Sequence, residues 1–208
     1  MNKKWWHFFT LLLIQLAIMF CIHKKGVGYI SAIVYNLFVL SYCFVFVRAD
    51  YSSKLLTASK QITGRNIFYQ VFRGIGYGFA FAILLFVILS FRYQIEVQKY
   101  SFLIILLQLV SQLIIASAEE SFFHYYAFET LSLFKVPVYL SVIVISILFG
   151  IAHLITNQTL LKCIVASIFS VFLFYLRLSK KKESYLTLTL CHFTFNMFFT
   201  FIFLTVAK

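Results

Sequence analysis

The sequence predicts an all-helical membrane protein, a bundle of about seven transmembrane helices, on three observations. Of its 208 residues, 62% are hydrophobic and only 12% are charged, whereas soluble domains are nearer half apolar and one quarter charged. The apolar residues form continuous runs of about 20, the length that crosses a bilayer as a helix. The chain contains a single proline, so these runs carry almost no helix breakers. We therefore expect one membrane domain.

The basic residues indicate a membrane and not a nucleic acid as the partner. The net charge is +12, but the lysines and arginines lie almost entirely at the ends of apolar runs, where they set topology and contact anionic lipid head groups. With the N-terminus inside, the inner connections receive most of the 18 lysines and arginines. This bias predicts a cell-membrane protein with a cytoplasmic N-terminus.

The first half, residues 1–100, is expected to supply three spans and one polar connection. The spans are predicted up to residue 22, at 27–47 and at 71–91. The connection at 48–70 mixes lysine and arginine with leucine and isoleucine, a composition typical of an amphipathic helix lying on an anionic leaflet. A solvated basic loop explains the same composition, and the sequence leaves both interpretations open.

Three alternating glycines, Gly74, Gly76 and Gly78, open the third span. A phosphate-binding loop would continue with lysine and serine or threonine, which are absent here. In a membrane helix, small residues allow a neighbouring helix to approach closely. We therefore interpret the glycines as a helix-contact surface.

The second half, residues 101–208, is expected to form a catalytic core of four helices. A short turn containing Arg92, Glu96 and Lys99 leads into it. The four spans are predicted at 101–134, 138–155, 160–176 and 185–206, with Pro137 before the second of them and a basic loop from Arg177 to Lys182 before the last.

Two adjacent acids, Glu119 and Glu120, lie near the middle of the fourth apolar run. A charge at that depth costs on the order of 2.5–3.5 kcal/mol, so acids there indicate a functional site. Residues four apart share one face of a helix, which pairs Glu120 with His124 and turns Glu119 elsewhere. One carboxylate would then be held by a local partner while the other acts.

Two further pairs, Phe149 with His153 and His192 with Asn196, repeat the spacing of four on later helices. Together with the acids they offer a carboxylate base, imidazoles and an amide donor. These groups can activate a water molecule and stabilise the oxyanion of a cleaved amide.

The three pairs resemble the signature motifs of the CPBP intramembrane proteases, which include type II CAAX prenyl endopeptidases and the Abi and bacteriocin-immunity proteins. The resemblance runs from about Ser101 to the C-terminus. It implies that Glu119 and His153 activate the hydrolytic water. It further implies that His192 and Asn196 form the oxyanion site.

The same resemblance makes Glu120, His124 and Phe149 supporting residues, but position 124 departs from the family pattern, which has arginine. An arginine stays charged and binds a carboxylate through two parallel hydrogen bonds. A histidine cannot do this, and it changes charge near neutral pH. The sequence therefore predicts a pH-sensitive Glu120–His124 pair.

Four functions are compatible with these residues. The first is an intramembrane endopeptidase without a cofactor, acting on a prenylated or bacteriocin-related peptide or another lipid-modified protein. The second is a catalytically weak family member that gives bacteriocin self-immunity by binding. The third is a zinc hydrolase with Glu119, His153 and His192 as ligands. The fourth, a transporter with the acids as proton relay, lacks the inverted repeats that such proteins often carry.

Overall fold

A computed structural model describes residues 33–43, 64–91, 93–97, 99–155, 159–179 and 183–206. The described chain is almost entirely helical, which confirms the predicted fold class. The predicted first span and most of the 48–70 connection lie outside the described residues. The chain divides into two compact units, which are described separately below.

The helices are numbered here in chain order, followed by the two strands. They are α1 Ile33–Cys43, α2 Gly64–Ser90, α3 Phe102–Glu119, a π-helix Glu120–Ala127, α4 Phe128–Leu133, α5 Val138–Ile155, α6 Leu160–Leu178 and α7 Tyr185–Thr200, with strands β1 Tyr93–Val97 and β2 Ile202–Val206.

Three helical stretches among the described residues are long and apolar enough to cross a membrane, namely Asn66–Ser90, Phe102–Leu133 and Leu160–Leu178. Two shorter apolar helices, Ile33–Cys43 and Val138–Leu154, accompany them. Many of their large apolar side chains are exposed, as expected of helices surrounded by lipid. The chain is a membrane protein, and its predicted total of seven spans stays a prediction because part of the chain is not described.

The first unit comprises residues 1–50 and 118–182. Its core is aromatic, with Phe122, Phe149 and Phe174 each about 1% exposed. Close packing of α5 on α6 depends on Gly150, because a β-carbon there would stand 2.7 Å from the carbonyl oxygen of Cys163. The core therefore sits where the π-helix, α5 and α6 meet.

The turn from α4 into α5 closes in a Schellman motif. The Val136 amide donates to the Leu131 carbonyl at 3.2 Å, and the Lys135 amide donates to the Ser132 carbonyl at 3.0 Å. Lys135 takes the left-handed conformation, with φ of 58°. Pro137 follows directly and precedes the first residue of α5, so the predicted break at this proline is confirmed.

The second unit comprises residues 51–117 and 183–208, and in it α2 packs along α7. A β-carbon on Gly74 would stand 2.6 Å from the Thr187 carbonyl oxygen, and one on Gly78 would overlap the Cys191 carbonyl oxygen. Gly76 has open space instead, with nothing within 4 Å. The helix-contact interpretation is confirmed for two of the three glycines.

We expect Gly78→Ala to lower the free energy of unfolding by about 1–3 kcal/mol, because the clash involves backbone that cannot rotate away. The matched control is Gly76→Ala, where alanine meets nothing and its higher helix propensity adds up to about 1 kcal/mol. Thermal unfolding in detergent micelles measures both. Equal melting temperatures for the two variants would contradict the assigned contact.

A two-stranded antiparallel ribbon lies where the sequence predicts a turn around Glu96 and the end of the seventh span. The predicted turn around Glu96 is strand β1, which pairs antiparallel with β2 so that Tyr93 lies opposite Val206. The predicted seventh span to residue 206 is wrong at its end, because α7 stops at Thr200. Hydropathy alone does not separate a short apolar strand from a helix end, and the aromatic and β-branched residues of β2 suit a strand.

Candidate active site

The paired acids lie where the helix changes type. α3 ends at Glu119, and the π-helix begins at Glu120 and runs for 8 residues. The span predicted at 101–134 is confirmed as the helical stretch Phe102–Leu133, but its middle is a π-helix and not an α-helix. A π-helix bonds each amide to the carbonyl five residues earlier, and such segments occur frequently at functional sites. Hydrophobic periodicity cannot reveal this one-residue change in register.

The predicted pairing of Glu120 with His124 is confirmed. The His124 Nδ1 atom lies 3.2 Å from the Glu120 Oε1 atom, and both side chains are fully buried. The two atoms are close, but they do not form a well-directed hydrogen bond. An imidazole at this distance can compensate the charge of the carboxylate, which makes the burial of Glu120 tolerable.

The other ring nitrogen of His124 enters a polar chain across neighbouring helices. Its Nε2 atom lies 2.9 Å from Ser170 Oγ on α6, and Ser146 Oγ on α5 donates to the same serine at 3.0 Å. All three side chains are buried. The imidazole is therefore anchored at both nitrogens, by Glu120 and by Ser170.

Aromatic rings enclose the same imidazole. The centroid of the His124 ring lies 5.6 Å from that of Phe149 and 4.8 Å from that of Phe174. Sequence reasoning found Phe149 by its motif but missed Ser146, Ser170 and Phe174. Serine and phenylalanine are ordinary in an apolar helix, so no pattern could have identified them.

We expect Ser170→Ala to lower the free energy of unfolding by about 1–3 kcal/mol, because it removes the buried partner of the His124 Nε2 atom. A control on the same helix is Ser167→Ala, since the Ser167 hydroxyl donates only to the Cys163 carbonyl of its own helix. That change should stay within about 0.5 kcal/mol. Equal losses in denaturant titrations of the two variants would contradict the anchoring role of Ser170.

The predicted shared face of Phe149 and His153 is also confirmed. The two ring centroids lie 4.8 Å apart, and His153 Nδ1 lies 2.9 Å from the Phe149 carbonyl oxygen. A carbonyl oxygen only accepts hydrogen bonds, so Nδ1 carries the proton and Nε2 is the basic nitrogen. His153 is half-buried. The backbone of α5 therefore fixes the tautomer that a proton-accepting imidazole needs.

Glu119 differs from its neighbour in exposure. Glu120 is fully buried with His124, whereas Glu119 is half-buried although its Oε2 atom is enclosed. The prediction that a local partner holds one of the two acids is thus confirmed for Glu120. The catalytic role of Glu119 stays a prediction.

His192 and Asn196 lie four residues apart on α7, in the second unit. His192 is 1% exposed, and Asn196 is half-buried. The Asn196 backbone carbonyl accepts a hydrogen bond from the Thr200 hydroxyl at 2.9 Å. Their assignment to an oxyanion site rests on the motif.

Within the described residues, no group of three or more histidine, cysteine, aspartate or glutamate side chains is placed to hold a metal ion. The zinc alternative and the expectation of a cofactor-free site both stay predictions.

Comparison with protein-family models gives a match over the region of the predicted site. Residues 101–198 match the family model described as type II CAAX prenyl endopeptidase Rce1-like. No curated protein and no solved structure matches the chain. The matched region starts one residue before α3 and includes all three motif pairs. This match over residues 101–198 supports the family of type II CAAX prenyl endopeptidases, which the motif pairs resemble.

Proposed function

We propose that the chain is an active intramembrane endopeptidase that hydrolyses a peptide bond of a prenylated peptide, with Glu119 and His153 activating the water. The observation that carries the proposal is the contrast between the two adjacent acids. Glu120 is fully buried against His124, while Glu119, at the end of α3, is half-buried. The family match supports the reaction class.

In this mechanism Glu119 accepts a proton from water as the water oxygen attacks the carbonyl carbon of the substrate. The Nε2 atom of His153 accepts the second hydrogen bond of that water, since its Nδ1 proton is directed to the Phe149 carbonyl. Collapse of the tetrahedral intermediate breaks the carbon–nitrogen bond. The proton held by Glu119 passes to the departing amine, which leaves a carboxylate and an amine as products.

The remaining motif residues receive roles from the motif and from general chemistry. His192 and Asn196 would donate hydrogen bonds to the oxyanion as negative charge develops on the carbonyl oxygen. Glu120 and His124 do not act on the substrate in this proposal. Their buried pair fixes the start of the π-helix and thereby the direction of the Glu119 side chain.

A lipid-modified substrate suits the apolar exterior of the helices. Large side chains such as Leu103, Leu106 and Leu107 on α3 are exposed, and in a bilayer such surfaces contact acyl chains. A prenylated peptide would reach the site from within the same membrane. The cytoplasmic N-terminus and the contact with anionic head groups remain expectations from the charge pattern.

The test uses the purified full chain in liposomes with a prenylated peptide that ends in a CAAX sequence. We expect mass spectrometry to show one new carboxyl terminus, and slower cleavage of the same peptide without the lipid. If the folded protein cleaves neither the prenylated nor the unmodified peptide, the proposal is overturned. Binding of an intact peptide would instead favour the self-immunity alternative, in which the chain binds without catalysis.

A further inference from the structure

The last turn of α6 places an arginine against the π-helix. The basic loop predicted from Arg177 to Lys182 is wrong at its start, because Arg177 lies inside α6 and its side chain is only 12% exposed. Its Nη1 atom donates to the backbone carbonyl of His124, and its Nη2 atom donates to Glu129 Oε1 at 2.7 Å. Glu129 lies just beyond the π-helix, on α4. One guanidinium therefore joins the π-helix to the helix that follows it.

The end of the π-helix changes the backbone bonding near this carbonyl. At its end, the Phe128 amide donates to the carbonyl of Tyr125, three residues earlier. In a regular α-helix that amide would donate to His124, four residues earlier. The His124 carbonyl is thereby released from that bond, and Arg177 supplies a donor.

Two aromatic faces fix the guanidinium in place. Its central carbon lies 4.1 Å from the ring centroid of Tyr125 and 4.7 Å from that of Phe128. A planar guanidinium can stack on such rings and still donate in its own plane, which a lysine ammonium cannot reproduce. The contacts to carbonyl, carboxylate and rings together hold Arg177 in one orientation.

We infer that Arg177 is a positioning residue that holds the π-helix, and with it the Glu120–His124 pair and the direction of Glu119. This inference rests on the proposed function. The motif pattern has an arginine at position 124, and this chain has histidine there. Here the arginine that holds the π-helix comes from α6. It bonds the backbone carbonyl of His124 and not a carboxylate of the motif.

The first test is Arg177→Lys assayed on the prenylated peptide in liposomes. Lysine keeps the charge but cannot span the carbonyl and the carboxylate while stacking on the rings. We expect kcat to fall about 10- to 100-fold, as misplacement of a catalytic group does. The KM should be unchanged, because Arg177 does not touch substrate. Guanidinium ion added to Arg177→Ala should restore part of the rate.

The matched control is Arg73→Lys in the second unit. Arg73 bonds Glu183 and lies 5.2 Å from the ring centroid of Tyr69 and 5.3 Å from that of Tyr77. Lysine there also loses a carboxylate bond and two ring contacts, but no bond to the π-helix backbone. We expect a comparable fall in melting temperature with kcat retained. Equal falls in kcat for the two variants, or wild-type kcat in Arg177→Lys, would overturn the inference.

Amide hydrogen exchange separates this inference from the proposed function, because it needs no activity. Arg177→Lys should accelerate exchange in Glu120–Ala127 and leave the amides of α2 unchanged, since local opening follows lost local contacts. Arg73→Lys should not accelerate it there. If the wild-type protein cleaves nothing, the proposed function fails while this measurement still decides the role of Arg177. Unchanged exchange in Glu120–Ala127 would exclude it.

Discussion

Replacing Glu119 by glutamine is expected to lower kcat for peptide cleavage about 100-fold or more, the usual contribution of a positioned general base. Glutamine has nearly the shape of glutamate but cannot accept a proton from water. Because the change is isosteric at a half-buried position, the fold and the KM should be retained. Initial rates in liposomes, with melting temperatures measured in parallel, give the result.

The matched control for that variant is Glu183→Gln. Glu183 is also an acid in an apolar protein, but it bonds Arg73 and lies outside the three motifs. Its amide replacement should leave kcat close to wild type. A Glu119→Gln variant that cleaves at the wild-type rate would remove Glu119 from the mechanism.

Replacing His124 by alanine is expected to cause the largest loss of stability, about 3–5 kcal/mol, because it leaves a buried carboxylate without its partner. The Glu120 carboxylate is fully buried. The deletion also opens a cavity between the rings of Phe149 and Phe174 and removes the partner of Ser170. Denaturant titration in mixed micelles measures the change in free energy of unfolding.

A double variant distinguishes the lost pairing from the lost volume. Adding Glu120→Gln to His124→Ala replaces the unpaired acid with a neutral amide, so part of the lost stability should return. Residues in direct contact couple by about 0.5–3 kcal/mol. Strictly additive losses in the two single variants and the double variant would show that Glu120 and His124 do not stabilise each other.

Local patterns in the sequence were sufficient for the fold class and for the paired residues. Long apolar runs predict membrane helices wherever they occur. Pro137 marks the start of α5, which has the predicted range of 138–155. A spacing of four brings Glu120 to His124 even in the π-helix, and Phe149 to His153 on α5. These relations depend only on neighbours along the chain.

Tertiary contacts account for what sequence reasoning missed. Nothing local marks Ser170 as the partner of His124 or Arg177 as the donor to its carbonyl, because both lie on α6, some fifty residues away. Histidine at position 124 also becomes explicable, since its compact ring fits between Phe149 and Phe174.

The most direct test of the water-activating pair is the cleavage rate of the double variant Glu119→Gln, His153→Ala beside its two single variants. Residues that act on one water as a unit give strongly non-additive losses. We expect each single variant to be severely impaired and the double variant to be slower than the worse single variant by no more than about threefold. Losses that multiply, or a wild-type rate in either single variant, would contradict the joint activation of one water by Glu119 and His153.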